Sequence, residues 1–349
     1  MILRLARRWE VALLLLLVAE ILIFGLINPR FLRPASLLFG TSDFVHIGMV
    51  AVPLTLVIIA GGIDVSFAST IGLCAICFGL AHHAGAPVPL AALAALAAGA
   101  AAGLFNAAMI RATRLQPLVI TLGTLYLFSG AATVLSGLIG AQGYEGIGGF
   151  PPGFTALGYA TLLGLPLPLL TFLVLSALLA ILLHASRLGR LMVLVGQNED
   201  AARHAGLPVD RVQALTYVLT GLAAAVTGLM LTAYFGAARV DLGSATLLPA
   251  VTAAVLGGAS IYGGSGSVVG TVLGVFLIGY LQQGLQMSGV PTQVSAALAG
   301  ALLVAVVAAR QVGALLRDRL PPRRLLAAGR QFGGPPAVQT ESLGGGEER

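Results

Sequence analysis

Residues 50–80 read VAVPLTLVIIAGGIDVSFASTIGLCAICFGL: an apolar run from Val50 to Ala60, the polar interruption GGIDVSFAS at 61–69, and a second apolar run from Thr70 to Leu80. Extended to their natural ends, the two runs reach the ~20 residues that cross a hydrocarbon core. A carboxylate and two serines stand between them. The question is whether the interruption is a loop between membrane spans or a buried site of chemistry, and the rest of the chain bears on both.

The pattern repeats along the sequence. Of 349 residues 58% are hydrophobic and 9% charged, against roughly 25% charged in a soluble domain. No stretch between apolar runs is long enough to build a soluble core, so the chain reads as one membrane domain over residues 1–320. Ten candidate spans follow, at 9–27, 42–60, 66–84, 87–110, 116–137, 165–184, 212–235, 245–260, 267–287 and 294–309. The eighth is short, and glycines break the chain after the second and eighth, where re-entrant segments are tolerated if they are buried in protein. The first run follows arginines at 4, 7 and 8 as in a signal peptide. It has no small-x-small cleavage site after it and reads as a retained helix. The segment 321–349, rich in Pro, Gly and charge, is predicted to be a disordered cytoplasmic tail.

Orientation follows from the basic residues, which are retained on the cytoplasmic side. All 19 are arginine. With the N-terminus inside, only Arg30, Arg33 and Arg239 fall outside and the other 16 fall inside. The expected fold is therefore an all-α polytopic membrane protein of about ten transmembrane helices with both termini cytoplasmic. This placement also explains the net charge of +6 without nucleic acid.

Composition excludes several chemistries. A chain without lysine has no Walker-type phosphate lysine and cannot hydrolyse ATP through a P-loop. GGSGSVVG at 263–270 lacks the preceding strand and following acid of a dinucleotide site, and no Gly-x-Ser-x-Gly elbow occurs. Cys74 and Cys77, with His82 and His83 nearby, lack the separated second ligand pair of a zinc site, so no metal is expected. No acid or histidine falls within positions 90–137, 165–183, 212–235 or 267–309. Ion-coupled carriers use such groups near the midplane, so the energy source should be external.

Three groups of residues remain as functional candidates. Gly61, Gly62, Asp64 and Ser66, echoed by Gly257 and Gly258 before Ser260, end apolar runs in both halves of the chain, as interrupted helices at a transport pathway do. Close helix packing is the other reading of these glycines. For Asp64 the alternatives are a cap on the free amides of Ser66 or Phe67 and a direct role with substrate or protons. The adjacent glycines and the cytoplasmic placement favour the cap. Uncharged polar residues inside spans, Asn106, Gln116, Thr121, Thr124, Gln282, Gln283 and Gln286, either line a path or bond neighbouring helices. Gln282 and Gln286, four apart, share a face suited to a hydroxylated solute. The cytoplasmic connection 187–211 holds a short helix: Asn198 as N-cap, Glu199 and Asp200 in the first turn, Gly206 and Pro208 at its end. About two turns are unstable alone, so this helix should pack on something. The outer connection 138–168, with its glycines, prolines and aromatics, could dock a partner or cover the pathway.

GGIDVSFAS, GRLMVLVGQNEDAARHAG at 189–206 and AVLGGASIYGGSGSVVGTVLG at 254–274 together resemble the ribose and arabinose type of ATP-binding-cassette importer permease. The likeness runs from about residue 40 to 310, leaving residues 1–8 and those beyond 320 outside it. Within that family LVITLGTLYLF at 118–128, GYEGIGGFP at 143–151 and GYLQQGLQMSGVP at 279–291 are most similar to permeases of autoinducer-2 import, with ribose or another pentose or hexose as the competing cargo. The resemblance implies a non-catalytic subunit of a bacterial inner membrane. It implies partners: ATP-binding subunits that hold ATP and magnesium, a second homologous permease and a periplasmic solute-binding protein, with surrounding lipid and a small polyhydroxylated substrate. It also implies that Gly196, Asn198, Glu199, Asp200, Ala201, Ala202 and Gly206 form the loop that docks on the ATPase. No cofactor is expected on this chain itself.

Overall fold

The structure, a computed structural model, describes residues 2–140 and 145–291 and scattered positions from 294 to 308, with side chains from Trp9 onward. The order is α1 (Ile2–Ile27), α2 (Pro34–Phe39), a 3-10 turn at Gly40–Asp43, α3 (Val45–Ile59), α4 (Phe67–His83), α5 (Val88–Thr113), α6 (Pro117–Gly137), α7 (Pro152–Thr155), β1 (Thr161–Leu162), β2 (Leu165–Pro166), α8 (Leu167–Ala185), α9 (Arg187–Gln197), α10 (Glu199–His204), α11 (Val209–Phe235), α12 (Leu247–Leu256) and α13 (Val268–Met287). The two strands form one small antiparallel hairpin. Prolines occupy the first or second position of α2, α5, α6, α7 and α8, where the missing N–H costs nothing and the fixed φ starts a helix.

Burial sorts the helices. In α3 every residue except His46 is buried, and α8, α11, α12 and α13 pack around it. A helix apolar on all sides belongs at the centre of a membrane protein. α1, α5, α6 and α8 instead expose leucines, valines and isoleucines along one face, Leu15 at 65% among them. The most extensive contact joins α5 to α11. Added Cβ atoms would stand 2.3 Å from the Gly221 carbonyl at Gly99, and 2.3 Å from the Tyr217 carbonyl at Gly103. Glycine there lets two backbones touch, the route by which helices associate without a hydrophobic driving force.

Nine of the ten candidate spans fall on helices, though unequally. Six are long and apolar enough to cross a membrane; the second becomes a pair, Pro34–Asp43 and Val45–Ile59, bent by 59°; the third and eighth are the shorter apolar helices Phe67–His83 and Ser244–Leu256. The described residues thus give six spans, or seven with the bent pair, rather than ten. Most of the tenth, and the whole segment 321–349, lie outside the described residues.

Candidate functional site

Both helix breaks close on the same spot. α3 ends at Ile59 and the chain turns through Gly61, whose φ of +84° suits glycine alone among common residues. In the second break, Gly258 has φ +113° and the Gly264 amide donates to the Ile59 carbonyl at 2.9 Å. Gly196, in the last turn of α9, wedges between them. A Cβ there would stand 1.8 Å from the Ile59 carbonyl and 2.6 Å from the Gly264 amide. One on Gly270 would meet the Gly257 carbonyl at 1.8 Å, so α12 and α13 also touch through bare backbone. The sequence echo between the halves is therefore a physical junction of two breaks with the end of α9.

Asp64 lies in the first break, 2% exposed. Its Oδ1 accepts the Ser66 amide at 2.9 Å and the Ser66 hydroxyl at 2.7 Å. That hydroxyl in turn accepts from Asn106 Nδ2 at 2.7 Å. Burial pushes the Asp64 carboxyl up to about 6, opposed by the hydrogen bonds from Ser66 and Phe67. The Ile63 carbonyl next door accepts from Thr121 Oγ1 at 3.2 Å and from the Tyr217 hydroxyl at 3.4 Å. Asn106 and Thr121, paired by sequence with a possible path, are thus bonded to the first break. Thr124 lies one turn further along α6 and donates to the Thr121 carbonyl.

Below the junction sits the short polar helix. Asn198 Oδ1 accepts the Ala201 amide at 2.9 Å, and Gly206 has φ +76°. Glu199 accepts from Arg203 at 3.0 Å and from Gln213 at 3.2 Å, while Asp210 takes Arg203 at 3.0 Å and Arg111 at 3.2 Å. Ala202 is the buried residue of α10; Glu199, Asp200, Ala201 and Arg203 face outward. Sequence reading left α9 as part of a connection. Its start carries a signal, Ser186, whose hydroxyl accepts the Gly189 amide at 3.1 Å.

The opposite end holds different chemistry. Residues at that end meet one another: Asn28 donates to the Met287 carbonyl, Ile147 pairs with Ala238, and Tyr159 donates to the Tyr234 carbonyl. An open cleft of about 450 Å³ is lined by Ala35, Ser36, Phe39, Gly40, Asp43, Gln283, Gln286 and Met287. Gln286 lines it, but its companion is Gln283, which donates to the Ser36 carbonyl at 2.9 Å, and not Gln282. Sequence reading also passed over Glu20, buried in α1 with no hydrogen-bond partner on either carboxylate oxygen, and His46 of α3. No group of three or more His, Cys, Asp or Glu side chains is placed to hold a metal among the described residues.

A profile of the family described as branched-chain amino acid transport system / permease component matches residues 36–307. The chain belongs to that family. The permease is also 57% identical, over 304 residues, to the autoinducer 2 import system permease protein LsrD of Escherichia coli (strain K12), covering 87% of this chain and 92% of the relative. The proteins of the same name from Shigella flexneri and Escherichia coli O157:H7 match with the same identity and coverage. No solved structure matches significantly. The permease is a helical, multi-pass membrane protein, and the family match spans both breaks and the α9–α10 connection.

Proposed function

We propose that this permease is the membrane subunit of a binding-protein-dependent importer that carries autoinducer-2 across the bacterial inner membrane, with ATP and magnesium held by a separate ATPase chain. The observation that carries the cargo assignment is the 57% identity to LsrD over 92% of that relative's length. The mechanism rests on the junction. α10 offers an exposed acidic first turn to the ATPase, α9 carries its motion to Gly196, and Gly196 bears on both helix breaks at once. Asp64 holds the first break closed through Ser66 and performs no covalent step.

The reading includes ten spans with both termini cytoplasmic. Supporting it, contacts pair connections that the arginine count puts on one side: Trp9 with Leu256, Arg111 with Asp210 and Gly196 with Ile59 inside, Asn28 with Met287 outside. A second permease subunit would sit against α6. Gly123, Gly130 and Gly137 recur every seventh residue on its open face with nothing within 4 Å of an added Cβ, and Tyr126 between them is 75% exposed. Small residues at this spacing suit a protein neighbour better than lipid tails.

Reconstituted with its ATPase, sibling permease and binding protein, the complex should accumulate autoinducer-2 only when ATP is supplied. Accumulation of ribose in preference to autoinducer-2 would overturn the cargo, and uptake by the permease without any ATPase would overturn the mechanism.

A further inference from the structure

Arg239 is, with Arg30 and Arg33, one of the three basic residues that the arginine count puts outside, against 16 inside. The structure places it on the non-helical stretch that follows α11. Ala238 lies against Gly79 of α4, the Val240 carbonyl against Gly72, and Gly243 against the Ala68 carbonyl. At 1.5 Å per residue, descending from Gly79 to Ala68 is a drop of roughly 16 Å along the helix, about half a hydrocarbon core. Irregular backbone is tolerated at such depth only where protein buries it or water reaches it. Here α4 covers one side. On the other, Arg239 and Asp241 remain 37% and 50% exposed.

The two side chains form a forked pair. Arg239 Nε donates to Asp241 Oδ1 at 2.9 Å and Nη2 to Oδ2 at 2.5 Å. Gly146 of the outer connection lies over the arginine stem, with a Cβ there only 2.5 Å from its Cγ, so the guanidinium is held in place. An ion pair at this depth is too costly to turn toward lipid and belongs on a bundle interior or a wet cavity. The pair is neutral overall, and it retains guanidinium donors and carboxylate lone pairs beyond those the fork uses.

We propose that the Arg239–Asp241 pair lines the water-filled outer half of the transport path and binds adjacent hydroxyl groups of a small neutral polyhydroxylated solute. This rests on the importer reading for the identity of the solute, whereas the wet surface stands on geometry alone. Asp241 accepts from one hydroxyl and Arg239 donates to its neighbour. Ser244, whose hydroxyl donates to the Asp241 carbonyl at 2.8 Å, and Ala245 follow in the chain and are likewise exposed.

The test uses the assembled importer in proteoliposomes with Cys74→Ala and Cys77→Ala as background. Ala245→Cys should react with a charged, membrane-impermeant methanethiosulfonate roughly ten-fold faster than Leu15→Cys on the lipid face, because only a hydrated thiol ionises. Saturating autoinducer-2 should slow that reaction. Separately, Asp241→Asn and Arg239→Gln should each raise the half-saturation concentration for uptake about ten-fold, with less effect on the maximal rate. Equal reactivity of Ala245→Cys and Leu15→Cys in the assembled importer would overturn the proposal, as would labelling that appears only in the isolated permease, since the second subunit then covers the pair. Unprotected labelling together with unchanged half-saturation would overturn the binding role. If the wild-type importer ignores autoinducer-2 and takes up a pentose that protects Ala245→Cys, the cargo reading falls and the site stands.

Discussion

Asp64 accepts two hydrogen bonds from Ser66 while almost wholly cut off from water. Burial outweighs the hydrogen bonds and raises its carboxyl from 3.8 to about 6. A folded-state value above the unfolded one means that the folded protein binds the proton more tightly. The associated stability is fully present below about pH 4 and is lost as pH rises through about 6. The difference corresponds to on the order of 3 kcal/mol, since each unit is worth about 1.4 kcal/mol. Asp64→Asn keeps an oxygen for Ser66 without the charge. Its thermal midpoint relative to wild type should therefore climb between pH 4 and pH 6 and level off above. A mechanical Asp64 also requires the asparagine variant to transport, and a well-folded but inactive Asp64→Asn would show that the charge itself is used. Gly196→Ala sets a sharper local test. Its methyl group would collide with the Ile59 carbonyl, and overpacking of this kind costs about 1–3 kcal/mol. Uptake should fall steeply in Gly196→Ala complexes. Gly206→Ala has open space around it and should be limited to the backbone cost of its positive φ, about 1–2 kcal/mol.

Among the elements, α10 was legible because everything that defines it is local: Asn198 caps it, Glu199 and Asp200 fill its first turn, and Gly206 ends it within nine residues of sequence. α9 was not, since an eleven-residue amphipathic helix against a bundle end looks in sequence like any mixed connection. Asn106 and Thr121 show a different limit. Their polarity inside apolar runs was plain, but a single sequence gives the face a residue occupies and not the element opposite, which here is the first helix break. The outward acidic turn of α10 carries its own prediction. Glu199→Arg places like charge beside Arg203 and reverses the face offered to the ATPase. ATP-driven uptake should be lost while the amount of permease in the membrane stays near wild type, as measured by immunoblot of membrane fractions. On α6, Gly130→Leu fills an open groove rather than an internal contact. The variant should insert normally and fail to co-purify with the second permease subunit.

For the whole molecule, hydropathy carried most of the architecture. The helices fall where the apolar runs do, and the shortfall from ten spans sits at the second, third and eighth runs, which flank the two glycine breaks, and at the tenth, most of which lies outside the described residues. What the sequence could not convey is that these breaks touch each other and α9. Contacts between Ile59, Gly196 and Gly264 join parts of the chain that no local pattern links.

That junction is made almost entirely of backbone. Side chains that mediate a contact can change rotamer and absorb displacement, as a loose gear absorbs part of each stroke. Carbonyls and amides packed against glycine have no such backlash, so even a small shift of α9 would reach both halves of the bundle undiminished and together. Grafting the connection between related permeases should therefore succeed only when the segments 59–64, 187–206 and 257–270 travel as one unit.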